Sequence, residues 1–225
     1  MTRIVAFVRR TRRAVGLYGV AGAISRAVKQ LRQPRADPHA DPFDRQFGVD
    51  TAGVVRLEGL HVRGDRRLGV RYQPSEPDAV RGVLDSLPIP FDEFVFVDIG
   101  SGKGRVVMVA TQMPFKRVAG VEFSEELDAV ARANLAVFPA AQRCGGVEFH
   151  CMDAAQFEFP ADPLVLYLYN PFLAPTMRAV MGNLTASLAR HPRPVFIVLS
   201  GDQSLSPIIL EAGFQPCGDG VFRHG

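Results

Sequence analysis

The sequence predicts an α/β fold: a doubly wound, mostly parallel sheet with helices on both faces, preceded by a helical extension. Three observations point there. From residue 75 onward, apolar runs of strand length alternate with longer segments of helical period. Several short runs, VFV at 95–97, LVLYLY at 164–169 and VFIVL at 195–199, are apolar throughout, as in strands buried on both faces. The 225 residues, 47% of them hydrophobic, suffice for one such domain and an extension.

The extension is basic. Residues 1–36 hold nine of the 26 Lys and Arg and no acid, so the other 17 face all 23 acids and the rest of the chain carries net −6. The sequence pI near 9.0 therefore belongs to the extension, and a nucleic-acid-binding core is not expected. Ile4, Phe7, Val8, Val15, Tyr18, Ile24, Val28 and Leu31 fall near one helical face, which predicts a basic amphipathic helix over 1–36. Its apolar stretch, 14–24, is too short to span a bilayer and holds three glycines. Two roles fit such a helix: packing on the body or a second subunit, or peripheral membrane contact through residues 1–32. Residues 37–72 read as a linker and a hairpin. QPRADPHADPFDRQ (33–46) is rich in Pro and Asp, and VVRLEGLHV (54–62) can pair with LGVRY (68–72) around 63–67.

The alternating domain is expected over 73–225. Ser75 can cap a helix with Pro77 and Asp78 in its first turn, running to about Leu87 before Pro88 and Pro90 stop it. Then follow a strand at 94–99, a helix at 103–112, a strand at 117–121 and a helix at 124–137 capped by Ser124. Strands at 147–151 and 164–169, a helix at 174–190, a strand at 195–199 and a helix at 204–212 continue the series, and 214–224 forms one or two short strands. No internal repeat or low-complexity segment is evident.

VFVDIGSGKGR (95–105) ends the first strand, where open parallel sheets bind ligands. A phosphate-binding loop of the form GxxxxGK followed by Ser or Thr fails, because residue 97 is Val and residue 104 is Gly. A GxGxxG dinucleotide loop counted from Gly100 fails at Arg105. What remains is an acid followed by alternating glycines: Asp98, Gly100, Gly102, Gly104.

That motif resembles the class I S-adenosylmethionine-dependent methyltransferases, whose fold is Rossmann-like. The resemblance covers about residues 72–200 and implies S-adenosyl-L-methionine as cofactor. It places the loop of Gly100, Ser101, Gly102 and Gly104 against the cofactor's amino-acid moiety and Asp98 at its ammonium. GVEFS ends the second strand, where Glu122 would accept the ribose hydroxyls and Phe123 lie against the adenine. HCMDA ends the third, where Asp153 would receive the adenine amino group. Tyr72 could close over the cofactor. Taken singly, each acid could equally be a helix cap or a solvated carboxylate; the argument rests on their order along successive strand ends. DIGSGKGR together with YQPSEPDAV (72–80) is also similar to the non-SET lysine methyltransferase group.

Asn170, Pro171 and Phe172 end the fourth strand. They resemble the Asn/Asp-Pro-Pro-Tyr/Phe motif of amino-group N-methyltransferases, with one proline missing. The likeness implies that the Asn170 amide and a nearby carbonyl orient a target nitrogen while an aromatic ring holds the substrate; the alternative is a turn that merely ends the strand. Lys103 and Arg105 read as solvated flanks of the glycines, and Cys151 beside Met152 as buried packing. Three widely spaced cysteines and five scattered histidines predict no disulfide framework and no metal site, hence a reducing, cytoplasmic setting, membrane-associated if the N-terminal helix is an anchor. The expected activity is methyl transfer to an amino group of a protein lysine or a small molecule. Small-molecule O-methylation and a non-catalytic binding protein with a vestigial cofactor fold are the alternatives.

Overall fold

The computed structural model describes residues 41–225. The basic helix expected over 1–36 lies outside the described residues, as does any membrane contact it would make. Among the described residues no helix is long and apolar enough to cross a membrane.

Seven strands form one sheet: β1 (Val95–Ile99), β2 (Arg117–Glu122), β3 (Val147–Cys151), β4 (Leu164–Tyr169), β5 (Val195–Ser200), β6 (Gln215–Gly218) and β7 (Val221–His224). The order is β3-β2-β1-β4-β5-β7-β6. The first five are parallel, and β7 runs antiparallel to both β5 and β6. From β1 the chain winds outward to β2 and β3, then returns to the other side of β1 with β4. That reversal opens a crevice at the carboxyl ends of β1 and β4.

Alternation along the central strands feeds two cores. Val95, Val97, Ile99, Leu164, Leu166 and Leu168 pack with Met177, Val180 and Leu184 of α5 (Ala174–Arg190). Phe96, Val165 and Tyr167 face the other way, onto Val80 and Leu84 of α2 (Pro77–Asp85) and onto α3 (Arg105–Thr111). Asp98 has the parity of Phe96 but stands one step from the strand's end, where the core gives way to the crevice. Helix α4 (Glu125–Val137) follows β2 and starts at Ser124, whose hydroxyl accepts from the Leu127 amide at 3.3 Å, as expected. Helix α6 (Ser206–Glu211) is preceded by a short 3-10 turn, Gln203–Leu205, in place of the single helix expected over 204–212.

Three expectations fail in the segment before the sheet. The cap of α2 is Glu76, without a side-chain hydrogen bond, while Ser75 is buried behind it. The Pro/Asp-rich stretch is not simply a linker, because its end forms α1 (Pro42–Phe47). Asp41 caps that helix, and Gly48 closes it in the left-handed conformation at φ 69°. Phe43 and Val49 join the second core. The expected hairpin is reduced to its outermost pair, Val55 with Tyr72. Between these two residues the chain spreads into a strap. Val62 pairs with Ser124 and Gly69 with Phe172, so the strap is pinned beyond β2 on one side and beyond β4 on the other. Further backbone bonds reinforce both anchors: Arg63 donates to Phe123 at 2.8 Å, Glu125 to His61 at 2.9 Å, and Leu173 to Leu68 at 2.8 Å. A two-stranded ribbon buries little by itself. Laid across a sheet edge, the same residues cover the crevice.

Candidate functional site

The cleft beneath the strap gathers most of the residues singled out from sequence. The end of β1 supplies Asp98, Gly100 and Ser101, and the end of β2 supplies Glu122 and Phe123. Asp153 follows β3; Asn170, Pro171 and Phe172 follow β4; and Tyr72 enters from the strap. Gly102 and Gly104 lie behind the lining. Gly104 begins α3 and packs on Ala131 of α4, where an added Cβ would stand 3.0 Å from the alanine methyl.

The alternation of glycines follows from the backbone: Gly100, Gly102 and Gly104 have φ of 87°, 54° and 83°. Side chains other than Gly and Asn rarely adopt such values. The space they leave is used by the chain itself. The Pro171 ring sits where a Cβ on Gly100 would stand, 2.6 Å away, and the Tyr72 ring covers Gly102. A side chain at 102 would therefore meet Tyr72 first. The Tyr72 hydroxyl donates to the Thr51 carbonyl at 2.5 Å, so the ring is held down.

Glu122 is 4% exposed. One carboxylate oxygen accepts from the Gly102 amide at 2.8 Å and the other from the Ser124 amide at 2.8 Å. This carboxylate thus ties the glycine loop to the start of α4. Burial pushes its pKa up to about 7, against the pull of those amides. Asp98, 3% exposed, accepts no hydrogen bond among the described residues. Burial, with Glu122 nearby, holds its carboxyl well above the usual range. The Ser101 hydroxyl is also buried without a partner. The hydroxyl lies over Gly120 beside Val107 and Phe149, whereas the Asp98 carboxyl, unsatisfied in the lining of the cleft, is a group a polar, cationic ligand would satisfy.

The remaining positions are partly engaged. Asp153 accepts from the Ala155 amide at 2.9 Å and caps a 3-10 turn, while its other oxygen lies against Gly64 of the strap. The Phe123 ring and the Leu57 side chain both crowd Gly69. Asn170 is the one non-glycine residue at positive φ among the described residues, at 44°. Its amide oxygen accepts from the Asp202 backbone at 2.9 Å. Phe172 is buried in the first core and also lines the cleft. Cys151 is only partly buried, contrary to expectation.

Lys103 and Arg105 correct the sequence reading most sharply. They are 8% and 5% exposed, not solvated. Arg105 reaches Asp41 at 2.8 Å, Asp44 at 3.4 Å and the Thr51 hydroxyl at 2.7 Å. Lys103 donates to Asp50 at 2.7 Å and to the Ala52 carbonyl at 3.0 Å. Asn134 of α4 accepts from the Asp50 amide at 2.9 Å and donates to the Lys103 carbonyl at 3.0 Å. The two basic residues of the glycine loop therefore fasten residues 41–52, and through Thr51 they fix Tyr72. No alternation or motif marks this. The available signal was Asp41-Pro42 with Gly48 six residues on, a cap, first turn and stop.

Residues 97–172 match the family model described as "Methyltransferase domain". The match opens one residue before Asp98 and closes at Phe172, so it encloses every cleft residue named above except those of the strap and Tyr72. The matched span is about a third of the 225-residue chain. Among solved structures, phosphoethanolamine N-methyltransferase 1 of Haemonchus contortus, solved with phosphoethanolamine and S-adenosylhomocysteine, is 22% identical at TM-score 0.40 over 54% of this chain and 25% of its own. Ribosomal protein L11 methylase of Lactobacillus delbrueckii subsp. bulgaricus is 15% identical at TM-score 0.46, over 72% of this chain and 82% of its own. A S-adenosylmethionine-dependent methyltransferase of Leishmania major is 13% identical at TM-score 0.45, over 65% and 69%. This chain thus spans about a quarter of the Haemonchus chain. No curated protein matches it in sequence.

The raised pKa of Glu122 makes the stability of the ligand-free protein depend on pH. A carboxyl whose pKa rises from 4.5 to about 7 on folding binds more protons in the native state across that window. Its contribution to stability is complete below the lower value and lost as pH passes the upper one. Melting temperature should therefore fall as pH rises from about 5 to about 8, and Glu122→Gln should flatten that slope. An unchanged slope in the variant would assign the dependence elsewhere.

Proposed function

We propose that this protein is a class I S-adenosylmethionine-dependent methyltransferase that transfers a methyl group to an amino nitrogen, on a protein lysine or a small molecule. The observation that carries the proposal is the position of Asn170-Pro171 at the end of β4, on the wall of the cleft, with Pro171 seated on Gly100 of the glycine loop.

When bound, S-adenosyl-L-methionine supplies an activated methyl group on a positively charged sulfur. In this reading Asp98 faces the cofactor's ammonium. Glu122, with a lone pair on each oxygen beyond those taken by the Gly102 and Ser124 amides, receives the ribose hydroxyls. Phe123 and Asp153 stand at the ends of β2 and β3 for the adenine. The Gly100 and Gly102 backbone and Tyr72 shape the floor and cover of the same site.

The chain's remaining task is to align a nucleophile and exclude water. Asn170 is suited to the first. Its left-handed backbone turns the chain sharply away from β4, and its amide oxygen keeps a second lone pair beside the bond from Asp202. That lone pair and the carbonyls of the turn can accept from an amine and point its own lone pair inward. Pro171 adds no competing N–H. The strap serves the second task. An attacking ammonium must first lose its proton, and solvent at the cleft mouth can take it.

The test is a transfer assay with methyl-labelled cofactor against cell extract, fractionated into protein and small molecules, with products treated with mild alkali. N-methyl amines survive that treatment. Label released by alkali would identify a methyl ester and overturn the amino reading.

A further inference from the structure

A second groove lies on the far side of the strap, and the two clefts share a wall. Arg71, Gln73, Tyr169, Asn170 and Phe172 are among the residues that line both. Gln73 donates to the Tyr169 hydroxyl at 3.2 Å across this wall. A molecule in the groove therefore meets the cofactor cleft beside Asn170.

The groove is basic on an acidic body. Arg56, Arg66, Arg67 and Arg71 line it, whereas residues 37–225 carry 17 basic against 23 acidic side chains. Two of the four are committed. Arg67 pairs with Asp65 at 2.7 Å, and Arg66 donates to the Leu60 carbonyl. Arg56 and Arg71 are exposed and have no ion pair or hydrogen bond from their guanidinium groups among the described residues. Glu58 and Asp202 are also in the lining. Asp202 is spent on capping, accepting from the Ser204 amide at 3.0 Å and hydroxyl at 2.9 Å. These two acids interrupt the basic rim, which disfavours a nucleic-acid backbone running along it. Val54 and Leu173, two of the few large apolar side chains left exposed, stand in the same groove at 53% and 47%.

We propose that this groove is the methyl-acceptor site and that its acceptor is a small molecule bearing a phosphate or carboxylate group beside an apolar portion. Arg56 and Arg71 bind the anionic group, and Val54 and Leu173 cover the apolar part. The acceptor's nucleophile then reaches past Tyr169 and Gln73 to Asn170. Arginine suits this role because its planar fork matches both anions. Two uncommitted guanidinium groups match one such group, where a polyanion would need a continuous stripe. The inference rests on the methyl-transfer reading above and narrows its acceptor.

The test titrates inorganic pyrophosphate into the full-length protein saturated with S-adenosylhomocysteine. Arg56→Glu is the comparison variant, since Arg56 lines the groove and not the cofactor cleft. Wild-type protein should bind pyrophosphate, and Arg56→Glu should bind it at least about tenfold more weakly. S-adenosylhomocysteine affinity should stay the same. Binding that Arg56→Glu leaves untouched would place the anion elsewhere, for instance on residues 1–36, and overturn the proposal. So would the absence of pyrophosphate binding, or capture of a glutamate-rich peptide without any binding of pyrophosphate. In each of those outcomes intact S-adenosylhomocysteine binding leaves the methyltransferase reading standing. Its loss in wild-type protein would instead strike that reading.

Discussion

Arg105→Ala is expected to destabilise the protein by about 3–5 kcal/mol, because it strands a buried charge. The Asp44 side chain is fully buried, and Arg105 is the cation within reach of it. The Thr51 and Ala52 amides, at 2.8 and 2.7 Å, would still hold the carboxylate but could not neutralise it. The effect should reach the cleft as well, because Arg105 helps line it and fastens the segment that places Tyr72. Denaturant unfolding checks the size, and Asp44→Ala in the same background should recover part of the loss, since the two act as one unit. Lys103→Ala provides the contrast. Its partner Asp50 is 57% exposed and can be hydrated, so that loss should be well under half as large. Equal losses would mean that burial of the partner is not what sets the cost.

Asn170 is the second large effect, and its backbone decides how to test it. At φ 44°, alanine would add a conformational penalty of roughly 1–2 kcal/mol, mixing a folding defect with any loss of chemistry. Glycine adopts that conformation freely. Asn170→Gly should therefore keep S-adenosylhomocysteine affinity within a few-fold while turnover on the acceptor falls by about 10²-fold, since a displacement of about 1 Å in the nucleophile is costly. Asn170→Asp, which keeps an acceptor oxygen and tolerates the left-handed backbone, should retain more turnover than Asn170→Gly. If Asn170→Gly turns over normally, the residue serves only the bond to Asp202 and the turn, and the amino-nitrogen reading loses its carrier.

The contrast between these residues shows what one sequence discloses. Strand β4 and helix α5 match their predicted ranges, 164–169 and 174–190, because each carries its period uninterrupted and ends on a breaker. Asp98, Glu122, Asp153 and Asn170 could be found because a parallel sheet puts strand ends on one rim, so position along the chain translates into position in space. The strap and the basic clamp do not translate that way. Arg105 meets Asp44 across 61 residues and Lys103 meets Asp50 across 53, and a pairing at that separation leaves no local pattern. The hairpin expectation failed for a related reason. Val55 and Tyr72 do pair, but the residues between them find other partners in Ser124 and Phe172. The Asn170 oxygen teaches the converse: a motif marked the residue, while its bond to Asp202, 32 residues on, was invisible.

The central claim is that the cleft beneath the strap holds S-adenosylmethionine through groups the fold leaves unsatisfied. Asp98 is the sharpest probe, since its buried carboxyl accepts no hydrogen bond among the described residues, so replacing it with the isosteric amide breaks no internal contact while removing the charge a bound ammonium would call for. Calorimetric titration of S-adenosylhomocysteine into wild-type protein and Asp98→Asn tests the claim directly. The account predicts one site per chain in the wild type and a loss in Asp98→Asn of about 1.5–3 kcal/mol, roughly ten- to a hundred-fold in affinity, with the fold intact. Absence of binding by the wild-type protein, or equal affinity in the variant, would contradict it.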